Sequence, residues 1–197
     1  MTQRCVLVIP DAGPINSLWV ADALPLLLKL DMEIVVLDEV YAELTSDPDN
    51  YRKDREVKEF IGAHPDVIKI EKTTVGRLAA DARTRGEDLT GQGLGEAAIA
   101  EFFKTGIEKY VRRDLPVLLL FEDVDIRSVR FVRKPPNMHL LSTVALLRGL
   151  EEEGIIKSAD EIIHAMMHPT DPTKARMFRD LPDGIDEPAA IGSTWRP

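Results

Sequence analysis

Three short apolar runs, at residues 5–9, 34–37 and 117–121, constrain the fold of this chain more than any other feature. Each is rich in Val, Leu and Ile with no polar residue in alternation, the pattern of a strand covered on both faces at the centre of a parallel sheet. Cover on both faces calls for helices, and segments of helical character lie at 14–30, 39–44, 56–62, 93–103 and 143–153. Strand and helix alternate as in βαβ units, which predicts an α/β domain with a central, mostly parallel sheet. Weaker strands are expected at 67–70 and 138–141. Pro25 should divide the first helical segment in two, because an interior proline removes a donor and clashes with the preceding turn. Ser158 reads as the N-cap of a last helix over 159–167, with Glu161 three residues on completing a capping box.

At 197 residues and 44% hydrophobic composition the chain suffices for one substantial core, and a second full domain would be cramped. One domain is expected over 1–167, followed by an irregular or partly disordered tail over 168–197, where five prolines accompany few large apolar residues; Trp195 is a candidate anchor for its end. The single cysteine, Cys5, excludes an intramolecular disulfide framework and, set in an apolar run, reads as a core residue in a protein of the reducing cytoplasm. No apolar run approaches the roughly 20 residues of a membrane span, and the first is too short for a signal peptide, so neither export by that route nor membrane insertion is expected.

The net charge of −9 argues against a nucleic-acid binder until it is located. The last 47 residues carry 10 acids against 5 bases, whereas the main body holds basic clusters at Arg52, Lys53, Arg55 and Lys58, at Arg112 and Arg113, and at Arg127, Arg130, Arg133 and Lys134. Such clusters are more often solvated faces than phosphate tracks.

Acids stand directly after two of the buried runs: Asp11 after the first, Glu122 and Asp123 after the third. Open α/β sheets place their sites at those ends. One acid after a strand ordinarily caps the next helix; two on adjacent strands shift the balance toward a shared site. Glu43 and Glu96 stand among apolar neighbours, and Glu96 heads the stretch Ala97-Ala-Ile-Ala100, where a carboxylate would be partly buried and would need a cation or hydrogen-bond donors. Carboxylates that converge without matching Lys or Arg repel unless a hard cation sits among them. Oxygen-only ligation suits Mg²⁺ or Mn²⁺ and not zinc, and such an ion activates water against a phosphodiester.

Other patterns are weaker. Gly91-Gln-Gly-Leu-Gly95 lacks the third glycine and the preceding strand of a dinucleotide loop. His164 and His168 have a metal-compatible spacing, but no Glu of a zincin motif lies between them and Pro169 follows directly. No nucleophile elbow or phosphate-cradling Gly-Lys-Ser loop is present.

Taken in order, Asp11-Ala-Gly-Pro-Ile-Asn-Ser-Leu18, Leu24-Pro-Leu-Leu-Leu28, Ile34-Val-Val-Leu-Asp-Glu-Val-Tyr-Ala-Glu-Leu44, Gly93-Leu-Gly-Glu-Ala-Ala-Ile-Ala100 and Leu118-Leu-Leu-Phe-Glu-Asp-Val-Asp-Ile-Arg127 resemble a PIN domain, in the subgroup that includes VapC-like toxin ribonucleases. The resemblance runs over about residues 5–157, since Leu141-Ser-Thr-Val-Ala-Leu-Leu147 and Glu153-Gly-Ile-Ile156 are similar to that subgroup's last strand and helix; 45–90 and the tail do not match. It implies a three-layer α/β/α fold and a Mg²⁺- or Mn²⁺-dependent endoribonuclease with RNA as substrate. An antitoxin protein and a homodimer are the partners it suggests. It assigns Asp11, Glu43, Glu96 and Asp123 as metal-binding and catalytic acids, with Asp125 auxiliary. The fourth acid falls at Glu122 or Asp123; Asp123 is preferred because the family commonly has a hydroxyl residue two positions before it. Here that position is Phe121, a departure that removes a group expected to order the site. A catalytically silent PIN-like binding or regulatory module is the alternative this raises; Thr143 is either a substitute source of a hydroxyl or a structural residue at the N-terminus of a helix. A nuclease acting on DNA would use the same metal site.

Overall fold

In the computed structural model, which describes residues 5–89, 92–111, 116–122 and 137–175, five strands form one sheet in the order β3-β2-β1-β4-β5. They are β1 (Val6–Ile9), β2 (Glu33–Leu37), β3 (Ile68–Glu71), β4 (Val117–Phe121) and β5 (Met138–Ser142), and every pairing is parallel. Val6 stands opposite Glu33 on one side and Val117 on the other. The expected α/β architecture with a parallel central sheet is present, and all five expected strands are there. β1 and β4 are buried along their whole length, as continuous apolar runs require. β3 and β5 are the edges, and their exposed Lys69 and partly exposed His139 explain why they read more weakly in the sequence.

The helices are α1 (Gly13–Val20), α2 (Asp38–Leu44), α3 (Arg52–Ala63), α4 (Thr74–Thr84), α5 (Leu94–Glu101), α6 (Glu108–Val111), α7 (Thr143–Glu152), α8 (Ala159–Met167) and α9 (Pro172–Ala175). A 3₁₀ segment (Leu24–Lys29) follows α1, and a π-helical turn (Phe102–Gly106) continues α5. The right-handed rule for parallel crossovers sends the connections among β1, β2 and β3 over one face and the β3-to-β4 connection over the other. Helix packing agrees: α1 meets α3 and α8, while α4 meets α5. No helix among the described residues is long and apolar enough to cross a membrane.

The first helical segment divides in two, but earlier than Pro25. α1 closes in a Schellman motif: Ala23 N–H reaches Leu18 O at 2.7 Å, Asp22 N–H reaches Trp19 O at 3.1 Å, and Asp22 is left-handed at φ 56°. Pro25 then sits in the first turn of the 3₁₀ segment, where its missing N–H costs nothing. α4 was not expected. It starts at Thr73, whose hydroxyl accepts from Gly76 N–H at 2.8 Å, and it buries only Gly76, Ala79 and Ala82. A helix packed through small residues shows no stripe of large apolar side chains.

Ser158 caps α8 as expected, its hydroxyl accepting from Glu161 N–H at 3.2 Å. The beginning of the expected tail is built into the domain. Lys174, on α9, is buried with its ammonium 2.6 Å from Asp22 Oδ1, 3.2 Å from Trp19 O and 5.1 Å above the Trp19 ring. Asp171 pairs with Arg52 at 2.8 Å. Trp195 and the rest of the tail beyond residue 175 lie outside the described residues.

Candidate functional site

The chain winds outward from β1 through β2 to β3 and then crosses back to place β4 on the other side of β1. The ends of β1 and β4 therefore border the point where strand order reverses, the place at which open α/β sheets form binding crevices. Asp11 follows β1 after Pro10, and Glu122 follows β4 directly. Both carboxylates turn toward the first residue of α1. The point that a Cβ on Gly13 would occupy lies 2.8 Å from Asp11 Oδ2 and 3.0 Å from Glu122 Oε2. Two acids 111 positions apart thus both pack against Gly13, where a larger residue would collide with them.

Asp11 is partly buried and makes no hydrogen bond or ion pair among the described residues. Glu122 Oε2 accepts from the Ser17 hydroxyl at 2.8 Å. Asn16 and Ser17 follow Gly13 by three and four residues and so share its side of α1. Among the described residues the buried Asn16 Oδ1 atom has no hydrogen-bond partner, nor has the Oγ1 of fully buried Thr143. Thr143 follows Ser142, the register partner of Phe121, so it stands at the level of Glu122 on the neighbouring strand end. Oxygen donors of this kind, with no Lys or Arg paired to Asp11 among the described residues, suit a hard divalent cation.

Glu43 and Glu96 occupy two helices that pack against each other, α2 and α5, and both are exposed; Glu96 is not partly buried as its apolar neighbours suggested, because α5 buries only Ala98. Glu96 folds back toward the start of its own helix, its Oε2 lying 3.3 Å from the position of a Cβ on Gly93. Among the described residues no group of three or more His, Cys, Asp or Glu side chains gathers where one metal ion would sit. The described convergence is the Asp11–Glu122 pair. Asp123 and Asp125 lie outside the described residues, as do Arg112, Arg113 and the basic cluster from Arg127 to Lys134.

A cavity of about 900 Å³ opens beyond the ends of β2 and β3, with Asp38, Glu39, Thr73, Arg77, Arg83 and Glu101 among its walls. Most of its acids are already satisfied. Asp38 accepts from Thr73 N–H and the Thr73 hydroxyl, both at 2.9 Å. Buried Glu39 forms a two-pronged pair with Arg83 at 2.9 and 2.7 Å, and the hydrogen bond to that carboxylate raises the guanidinium pKa above its ordinary value. Glu101 accepts from Thr74 and Val75 N–H at 2.7 and 2.9 Å, and the Thr74 bond foremost holds its carboxyl below the usual range. These contacts join α2, α4 and α5 and leave those carboxylates engaged.

Sequence reasoning missed Asp38, Glu39 and Ser17. Nothing local marks Glu39 as the partner of Arg83, 44 positions away. Ser17 was legible in one respect, since it follows Gly13 by four residues on the helix that Asp11 introduces.

The basic cluster on α3 is largely consumed internally. Arg52 pairs with Glu56 at 2.7 Å as well as with Asp171, Lys53 donates to Leu44 O and pairs with Asp54, and Arg55 donates to Pro48 O. The His164 and His168 rings lie against each other at 4.6 Å between centroids, exposed at the end of α8. Burial pushes the Cys5 thiol up to about 11, so the side chain is a core residue and not a nucleophile. No family model and no curated protein matches this chain.

Proposed function

We propose that this chain is a divalent-metal-dependent endoribonuclease of PIN type, working in the cytoplasm with Mg²⁺ or Mn²⁺ and hydrolysing RNA phosphodiester bonds. The observation that carries the reading is the approach of both Asp11 and Glu122 to Gly13, across the reversal of strand order, with no Lys or Arg paired to Asp11 among the described residues. A bound divalent ion supplies Lewis-acid stabilisation of the phosphodiester and a water made more acidic. Asp11 and Glu122 hold that ion by their carboxylate oxygens. The partly buried setting limits competing water, and Gly13, with no side chain, lets both acids approach the start of α1.

Glu43, Glu96, Asp123 and Asp125 enter this proposal through the resemblance to PIN domains, as do an antitoxin partner and a homodimer. Asp123 is assigned a direct metal-binding role alongside Asp11, and Glu122 is added to the set. The second reading is a catalytically silent PIN-like binding module. It is favoured by Phe121, which is 3% exposed and brings no hydroxyl to the end of β4.

Incubating the purified protein with a mixed pool of RNA and single-stranded DNA, with Mn²⁺ or Mg²⁺ and with EDTA as control, tests the proposal. RNA cleavage abolished by EDTA and by Asp11→Asn is expected. Metal-dependent cleavage confined to DNA would replace the substrate class. Binding of RNA without cleavage in either metal would favour the silent module, and cleavage unaffected by Asp11→Asn would remove the site.

A further inference from the structure

We propose that the cavity beyond the ends of β2 and β3 binds single-stranded RNA, with Lys72 and Arg77 on its backbone phosphates and the Tyr41 ring against a base. The inference deepens the nuclease reading by giving the strand a track beside Asp11, and it rests on that reading for the choice of RNA. Ile9 is the register partner of Val36, and Leu37 that of Glu71, so the chain leaves β1, β2 and β3 along one edge of the sheet, passing through Asp11, Asp38 and Lys72. Neighbouring strands lie about 4.8 Å apart, which puts the cavity one strand from Asp11 and the Lys72 backbone two strands away, about 10 Å.

The charges of the cavity divide by exposure. Four acids line it against three bases, but Asp38, Glu39 and Glu101 are buried or half-buried and held by Thr73, by Arg83 and by the first N–H groups of α4. Asp81 is the exposed acid; Lys72, Arg77 and Arg83 are all exposed. Among the described residues Lys72 and Arg77 make no hydrogen bond or ion pair, although the Arg77 charge adds, after the Thr74 bond, to what holds the Glu101 carboxyl low. Glu101 already fills the start of α4, so an incoming anion meets side chains and not the helix end. Cations without a carboxylate bonded to them keep counterions that a phosphate displaces, which is the main favourable term in binding a nucleic-acid backbone. Ala42, Ala80 and half-buried Tyr41 form an apolar part of the wall. An aromatic ring beside such cations suits an unstacked base with its phosphate, which favours a single strand over a duplex and over free phosphate.

The test is the fluorescence anisotropy of a short labelled single-stranded RNA with the full chain, in EDTA to stop metal-dependent cleavage, at several salt concentrations. The double variant Lys72→Gln and Arg77→Gln should bind tenfold or more weakly near 0.1 M salt, with a salt slope shallower by about 1.4, at about 0.7 per phosphate contact. Lys72→Arg with Arg77→Lys keeps both charges and should bind close to wild type. Tyr41→Leu keeps apolar bulk without the ring and should weaken binding about fivefold or more with the slope unchanged. Lys29→Gln with Lys58→Gln removes the same charge from exposed lysines outside the cavity and should leave binding intact. Equal weakening by the two glutamine pairs, or none by the cavity pair, would overturn the inference, as would a wild type that binds no RNA. A rise in melting temperature with inorganic phosphate, without RNA binding, would replace the strand by a small phosphate ligand. Binding lost in the cavity pair of a protein that cuts nothing with Mn²⁺ would uphold the cavity and remove the nuclease reading; normal cleavage with binding indifferent to that pair would remove this inference alone.

Discussion

Replacing Gly76 by alanine should destabilise the protein, although helix propensity alone points the other way. Gly76 lies in the first turn of α4, where an alanine would gain at most about 1 kcal/mol over glycine. The added Cβ would land within contact distance of all three carboxyl atoms of Asp38. That carboxylate cannot simply swing away: Asp38 is only 9% exposed and is held by Thr73 N–H and the Thr73 hydroxyl. Displacing it sacrifices hydrogen bonds to a charged group, about 1.5 to 3 kcal/mol each, and overpacking adds a further cost of about 1 to 3 kcal/mol where the backbone must shift instead. Partial relaxation of both leaves a net loss on the order of 3 kcal/mol after the helix gain. At about 2 to 4 °C per kcal/mol for a chain of this size, the melting temperature should fall by roughly 6 to 12 °C. Circular dichroism melts of Gly76→Ala beside Gly62→Ala measure this, because Gly62 lies in α3 with no atom within 4 Å of its would-be Cβ. Gly62→Ala should be neutral or slightly stabilising. A Gly76→Ala melt equal to or above wild type would refute the account of the α2–α4 joint.

Gly13→Ala, whose Cβ would meet Asp11 Oδ2 at 2.8 Å and both Cβ and Oε2 of Glu122 at 3.0 Å, should lose most of its stabilisation by Mn²⁺; an undiminished Mn²⁺ response would show that these two acids are not the site. Asp54 gives a pH dependence. Burial would raise its pKa, but hydrogen bonds from Asp47 N–H, Lys53 and Ser46 outweigh burial and hold it below its ordinary 3.8. Its stabilisation is therefore present above about pH 4 and is lost as pH falls through the lower folded value. The melting-temperature gap between wild type and Asp54→Asn should be widest near neutrality and narrow in acid, and a gap constant down to pH 2 would contradict this.

The central strands were legible because β1, β2 and β4 are covered on both faces and consequently read as unbroken apolar runs. α4 was not, because a helix that docks through Gly76, Ala79 and Ala82 leaves no periodic signal. The end of α1 was placed too late because a left-handed aspartate, Asp22, does the work usually signalled by glycine. At the site, Asp11 could be chosen from its place after a buried strand. The choice between Glu122 and Asp123 had less support, since successive residues at a strand end point to opposite faces of the sheet. Only the fold brings Glu122 to Gly13 and Ser17, and the pairing of Glu39 with Arg83 likewise depends on how α2 and α4 dock.

The most direct test of the central claim is the effect of Mn²⁺ on the melting temperature of wild type and Asp11→Asn, each compared with EDTA and with NaCl at matched ionic strength. At a metal concentration about 100 times the dissociation constant, linkage stabilises the native state by roughly 2.7 kcal/mol. That is a rise on the order of 5 to 10 °C for this chain. In EDTA, Asp11→Asn should be as stable as wild type or more so, because one of two neighbouring carboxylates has lost its charge. Its Mn²⁺ response should shrink sharply. Equal Mn²⁺ shifts in the two proteins, or a wild-type shift reproduced by NaCl, would contradict a metal site built on Asp11.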